Sequence, residues 1–309
     1  MAKWTASLAI GLGVMGLSAC ASGGGGAPSS PTPPPPPPGF TSWSAVKPPA
    51  TVTVPGLSQE ITYTANANGT TTVSPPSPVM DSTFVETLDA SGATTALKLQ
   101  NASRTVSFDT ANGDTIGHVK SDPRLLAATS ADQARIAVAS DPAQFGWDYQ
   151  SFGVWETGVG TGTGSAGASS VGALTNGASI PTSGSATFTG AVGALYLDPA
   201  GVDHLVGANL TVNVDFLNRQ AALSTGAMTD LIGGDAFAGT AISGTLTYGG
   251  GQNSLTGTLT TANGRLSGAA TARFYGPAAQ EIGGVFTLTP NAGSGFERLG
   301  GAFGARRGP

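Results

Sequence analysis

The chain has 309 residues, with 13 Lys and Arg against 18 Asp and Glu, for a formal net charge of −5. Only 10% of its residues are charged, well below the quarter usual in soluble domains, while 39% are apolar and 47 are Gly. An acidic chain whose one basic run is Arg306-Arg307 excludes nucleic-acid binding by phosphate neutralisation, a single cysteine excludes an intrachain disulfide, and the wealth of small residues favours strands and turns over long helices.

Residues 1–19 have the layout of a lipoprotein signal peptide. Lys3 precedes an apolar run from Leu8 to Leu17 that is too short to span a bilayer as a helix. The ending Leu17-Ser18-Ala19-Cys20 resembles the bacterial lipobox, which implies lipid attachment at Cys20 and a membrane as the first partner, reached through that anchor. Acyl chains contribute ~0.8 kcal/mol per buried CH2, so several of them hold a protein firmly. Ala21 and Ser22 follow with no Asp, as in lipoproteins sent on to the outer membrane. Residues 20–41 then form a Gly- and Pro-rich segment without charge, expected to be a disordered tether. Its prolines Pro33 to Pro38 predict a stiff polyproline rod of about 3.1 Å per residue.

Residues 42–145 predict a smaller β domain. Alternating stretches begin at Val52 (VTVPG), Glu60 (EITYTA) and Ala96 (ALKLQ). TVSFDTANGDTIGHV from Thr105 predicts a hairpin turning at Asn112 to Asp114, and ADQARIAVAS from Ala131 to Ser140 predicts one short helix.

Residues 146–307 predict an antiparallel barrel of about eight strands. Ile242, Gly244, Leu246 and Tyr248 share one face, then Leu255, Gly257 and Leu259, then Leu266, Gly268, Ala270, Ala272 and Phe274, then Ile282, Gly284, Phe286 and Leu288. DYQSFGVWE, SATFTGAVGALY, ANLTVNVDF, QAALSTG and the final GGAFGA supply the other candidate strands. Small residues on the apolar face suit a tightly curved, closed sheet. An apolar face turned inward and a Thr, Ser and Arg face turned outward is the reverse of a transmembrane barrel. The fold class is therefore all-β: a water-soluble eight-stranded barrel behind a smaller β domain and a tether.

RFYGPAAQEIGGVFTL with the closing GGAFGARR resembles the barrel signature of the transferrin-binding protein B family of surface lipoproteins. The matching residues are Phe274, Gly276, Pro277, Ala279, Glu281, Gly283, Gly284 and Phe286, then Gly301, Phe303, Gly304, Ala305 and Arg307. DYQSFGVW and GSATFTG resemble the start of that domain, and residues 42–145 resemble its preceding handle. The resemblance implies a lipid-anchored outer-membrane protein on the surface of a Gram-negative bacterium, without catalysis, in a family that includes transferrin receptors, a complement-factor binder and haem-scavenging members. Those receptors carry two lobes of handle plus barrel where this chain has one of each. No residue carries over for transferrin contact.

No catalytic set converges in the sequence. Gly162-Thr-Gly164-Ser-Ala-Gly167 fits a dinucleotide pattern but lacks a following helix and an acid at the right spacing, which predicts a mobile loop and no cofactor. His118 and His204 are the only imidazoles. His204 sits near Asp198 and Asp203 in what reads as an Asp/Gly turn, and haem ligation by a His or by Tyr149 or Tyr196 has no support from spacing. Glu281 is expected to satisfy backbone or Arg partners at a strand start. The expected function is that of a binding lipoprotein and not an enzyme, one that takes a macromolecule or an iron or haem source through barrel loops as a monomer, with a protein ligand or a TonB-dependent receptor as partner. A haem or small-ligand carrier and a structural envelope lipoprotein stay open beside it.

Overall fold

The computed structural model describes residues 40–65, 71–231, 233–291, 295 and 297–308, which fall within one compact unit, Pro38–Pro309. The signal peptide, Cys20 and nearly all of the tether lie outside the described residues.

The chain builds two antiparallel sheets of ten strands each. The first contains β1 (Ala50–Ala65), β2 (Thr71–Val73), β3 (Met80–Leu88), β4 (Thr94–Asn101), β5 (Thr105–Asp109), β6 (Thr115–His118), β7 (Leu125–Thr129), β8 (Arg135–Ser140), β9 (Gln150–Thr157) and β10 (Thr163–Gly172). Their order is β5-β4-β3-β1-β10-β9-β8-β7-β6, with β2 paired to β1. The second contains β11 (Ser185–Leu197), β12 (Asp203–Asp215), β13 (Gln220–Thr225), β14 (Met228–Asp230), β15 (Ala236–Phe237), β16 (Ile242–Thr247), β17 (Leu255–Thr261), β18 (Leu266–Tyr275), β19 (Glu281–Pro290) and β20 (Arg298–Arg307). Eight of these, β11-β20-β19-β18-β17-β16-β13-β12, form a ring that the β11–β12 pairing closes. The all-β expectation and the eight-stranded barrel both stand.

The barrel core follows from the alternation. In β16, Ile242 and Leu246 are buried while Ser243, Thr245 and Thr247 are exposed. Phe188, Phe216, Phe274, Phe286 and Phe303 fill the interior with the aliphatic residues of all eight strands. Inward glycines face leucines across the ladder: Gly244 opposes Leu259, and Gly257 opposes Leu246. A Cβ on Gly244 would stand 2.8 Å from Leu259 Cδ2, so each glycine makes room for a leucine that leans over it. An eight-stranded barrel has space for side chains alone, and this alternation of small and large fills it.

Three sequence expectations change. DYQSFGVWE does not enter the barrel: β9 pairs with β8 and β10, both in the first sheet, and the barrel strands begin at Ser185. Alternation marks a strand but not the sheet that receives it. The segment expected as a helix is a turn at residues 131–134 followed by β8, because Ile136 and Val138 extend the ladder against β7 and β9. The Asn112–Asp114 turn exists, yet β5 and β6 do not pair; they are the two edges of the first sheet, brought near each other so that it almost closes. Asp114 explains the divergence. Its carboxylate accepts the Asp109 N–H at 2.8 Å and the Ala131 N–H at 2.8 Å, so it ties the turn to the β7–β8 connection in place of a β5–β6 ladder.

The two sheets meet along an apolar seam. Leu57, Trp147, Phe152 and Val154 pack against Val285 and Ala302 on the outer face of the barrel. That is why β19 is buried on both faces from Glu281 to Phe286. A one-turn helix, α1 (Pro142–Phe145), capped by the Asp141 carboxylate, delivers Trp147 to the seam.

Candidate ligand-binding site

Glu281 opens β19 and is 1% exposed. Its carboxylate accepts the Asp148 N–H at 2.7 Å on one oxygen and the Tyr149 N–H at 3.0 Å on the other. Burial pushes its pKa up to about 7, opposed by these backbone donors and by the charge of Arg306. The side chain is thus a clasp between the barrel and the chain entering β9, as its expected backbone partners required. The neighbouring signature residues do the same work. Gln150 Nε2 donates to the Ala305 carbonyl at 3.1 Å, and the buried Tyr275 hydroxyl lies 2.9 Å from Ser170 Oγ.

The Gly162–Gly167 stretch is a strand and not the mobile loop its composition predicts. Thr163–Gly172 is β10, paired on both sides with β1 and β9. Its glycines serve packing: a Cβ on Gly164 would stand 2.4 Å from the Tyr63 hydroxyl, and one on Gly167 2.3 Å from Trp155 Cζ2. Composition cannot distinguish a flexible Gly-rich loop from a strand whose glycines lie under aromatic rings.

The remaining candidates are held by local partners. His118 Nε2 lies 2.9 Å from Asp141 Oδ2 at the surface. His204 has Asp230 Oδ2 at 3.3 Å from Nδ1 and Asp198 Oδ2 at 3.5 Å from Nε2, against the Phe237 ring. Asp203, its sequence neighbour, faces elsewhere. Asp198 also accepts the N–H groups of Ala200 and Val202, as an Asp/Gly turn requires. Tyr196 donates to Glu297 Oε1 at 2.7 Å. Among the described residues no cluster of His, Cys, Asp and Glu has the makings of a metal site.

No sequence motif points to the cleft of about 470 Å³ between the first sheet and the barrel wall. Its floor is the outer face of β12, β11 and β20, where Asp203, Leu197 and Arg298 lie side by side in register. Ile61 and Tyr63 of β1 and Glu156 of β9 approach from the first sheet. Glu156 is 8% exposed. Burial raises its pKa, and the charge of Asp203 adds to the effect while Tyr63 opposes it. The Tyr63 hydroxyl donates to the Thr157 carbonyl at 2.9 Å and also lies against the Glu156 carboxylate, a neutral partner that brings no counter-charge. Arg298 Nη1 donates to the Gly295 and Glu297 carbonyls, and burial lowers the guanidinium pKa. Among the ion pairs of the described residues, none includes Glu156 or Arg298. Only a three-dimensional pairing of sheets reveals this site, because Ile61 and Tyr63 of β1 lie more than a hundred positions from Leu197, Asp203 and Arg298 in the chain.

Residues 180–307 match the family described as the C-lobe and N-lobe β-barrels of transferrin-binding protein B. Among solved structures, the chain is similar to a mutant transferrin-binding protein B of Haemophilus parasuis, at 14% identity over 84% of this chain and 77% of that one, with a TM-score of 0.44. A mutant transferrin-binding protein B of Actinobacillus pleuropneumoniae is similar at 12% identity over 82% and 100%, with a TM-score of 0.44. The isotype 1 protein of serogroup B Neisseria meningitidis is similar at 12% identity over 84% and 77%, with a TM-score of 0.41. No curated protein matches the chain. The eight-stranded barrel that closes within residues 185–307 and the signature residues it carries are in keeping with this match to the transferrin-binding protein B barrels.

Proposed function

We propose that this chain is a surface lipoprotein that captures a protein ligand of the transferrin type, with a handle-like domain that ends with β10, a barrel domain from Ser185 and a lipid on Cys20. The observation that carries the reading is the match of residues 180–307 to the barrels of a protein family whose description names transferrin binding. Its role is binding and not catalysis.

The capture face we assign is the end of the barrel that gathers the 198–202 turn, the 226–241 connection and the 262–265 turn. The second of these is far longer than an ordinary hairpin loop and carries β14 and β15. Val202, 50% exposed, is a large apolar side chain at the tip of the first. Loops on a rigid scaffold are where binding residues concentrate.

The test is surface plasmon resonance of the immobilised chain against purified transferrin. Saturable binding that weakens at least tenfold in Val202→Asp supports the reading, and no saturable binding sinks the transferrin ligand. Metabolic labelling with a palmitate analogue should mark the wild type and not Cys20→Ala; label on both removes the anchor from the proposal. Protease shaving of intact cells should degrade the protein if it faces outward. A TonB-dependent receptor would then be the partner that receives the cargo.

A further inference from the structure

The cleft between the first sheet and the barrel is lined by two charged groups, Glu156 and Arg298, that enter no ion pair among the described residues. Glu156 is more than nine-tenths buried and opens into the cleft, with Asp203 as its charged neighbour. Two carboxylates that face one cleft repel, and a desolvated one with no cation is costly. Arg298 lines the same cleft and spends one nitrogen on two backbone carbonyls, leaving the rest of its guanidinium fork without an anion. Each arrangement asks for a ligand group of the opposite sign.

Between these charges the walls are apolar or small. Leu195, Leu197 and Ile61 line the cleft with Ala166 and Gly300. The volume of about 470 Å³ suits a small ligand and not a macromolecule. Asp203 and Arg298 flank Leu197 on adjacent strands, which at ~4.8 Å per strand spacing places their backbones about 10 Å apart. Two extended residues span about 7 Å, and the two side chains bridge the remainder.

We infer that the cleft binds a small zwitterion with an apolar body, of the class of a hydrophobic dipeptide, its ammonium group on Glu156 and Asp203 and its carboxylate on Arg298. The cleft borders the 198–202 turn assigned to the protein ligand, through Gly201 and Asp203, but Glu156, Arg298 and Gly300 lie outside that turn, so variants at these three test the cleft and Val202→Asp tests the capture face.

Isothermal titration of the purified chain with L-Leu-L-Leu tests it, alongside the N-acetylated dipeptide, which lacks the cation, and the dipeptide amide, which lacks the anion. Saturable binding of the free dipeptide is expected, with each cap weakening it at least tenfold. Glu156→Gln should weaken the free dipeptide but cause no further loss for the acetylated one, and Arg298→Gln should do the same with respect to the amide. Gly300→Leu supplies a variant that touches neither charge. A Cβ there meets nothing closer than Thr287 Oγ1 at 3.8 Å, so the fold accommodates it while the side chain fills the cleft, and binding should vanish. Circular dichroism and thermal melts establish that each variant is folded. Absence of saturable binding, equal binding of capped and free dipeptide, or undiminished binding in folded Gly300→Leu would each overturn the inference.

Discussion

Glu281 sets two effects against each other, and pH reads out which prevails. Burial favours the neutral acid, while two backbone N–H groups at 2.7 and 3.0 Å and the Arg306 charge favour the carboxylate. Burial wins, and the pKa rises from 4.5 to about 7. Between these values the folded protein keeps a proton that the unfolded chain has released, so stability falls as pH rises. The contribution is fully present below the unfolded value and is lost as pH passes through 7. At ~1.36 kcal/mol per unit the whole span amounts to roughly 3 kcal/mol, of which about 2.5 kcal/mol lies between pH 5 and pH 8. Glu86 and Glu156 are raised by burial too and act with the same sign, so the wild-type slope alone does not isolate Glu281. Glu281→Gln removes its titration and leaves theirs. Urea unfolding followed by tryptophan fluorescence at pH 5, 6, 7 and 8 gives the difference. The variant should gain about 2.5 kcal/mol relative to wild type from the lowest pH to the highest. A difference that stays constant within ~0.5 kcal/mol refutes the reasoning, because it means that the backbone donors hold the carboxylate ionised as in water.

Gly283→Ala should destabilise by about 1–3 kcal/mol in the same urea assay, since its Cβ would stand 2.2 Å from Gln150 Oε1 and 2.9 Å from the Phe303 carbonyl. Gly117→Ala, with nothing within 4 Å, is the control and should stay within ~0.5 kcal/mol. Tyr275→Phe should cost about 1–2 kcal/mol because it strands the buried Ser170 hydroxyl, and the double variant with Ser170→Ala should cost less than the two single changes added together. Phe274→Ala empties the barrel centre, where its ring meets Phe188, Phe216 and Tyr248, and should cost about 3–5 kcal/mol by thermal melt.

The barrel was legible because its inner face repeats with a period of two through β16, β17 and β18, whose outer faces meet water. The same period fails on β19. Glu281, Gly283 and Val285 are buried on its outer face because the first sheet covers them, and alternation carries no information about a second layer. The small residues there were the available signal: Gly283, Ala302 and Gly304 leave no bulk on a face that polar side chains would otherwise occupy. The first sheet was less legible for another reason. β1 pairs with β10, whose partner residues lie about a hundred positions away, and no local pattern specifies such a pairing. The cleft inherits that limit, since Glu156 meets Asp203 and Arg298 only after the two sheets have packed.

The signature residues also explain why the barrel can be recognised while its ligand cannot. They converge on one short stretch, residues 147–150. Glu281 takes the Asp148 and Tyr149 N–H groups, and Gln150 reaches the Ala305 carbonyl. A Cβ on Gly276 would strike the Tyr149 ring at 2.6 Å, and one on Gly304 would strike Trp147 at 2.8 Å. From the other side, Trp43 donates its N–H to the Asp148 carbonyl, and Ser44 bonds both Asp148 carboxylate oxygens. A change at any of these positions disturbs the junction of three chain segments, so the motif is constrained by packing and hydrogen bonding. The turns at 198–202 and 262–265 carry no such constraint, because their residues do not enter the junction. The barrel-end turns are therefore free to vary in sequence while the lock that joins the sheets stays fixed, which is the freedom that the proposed capture face requires.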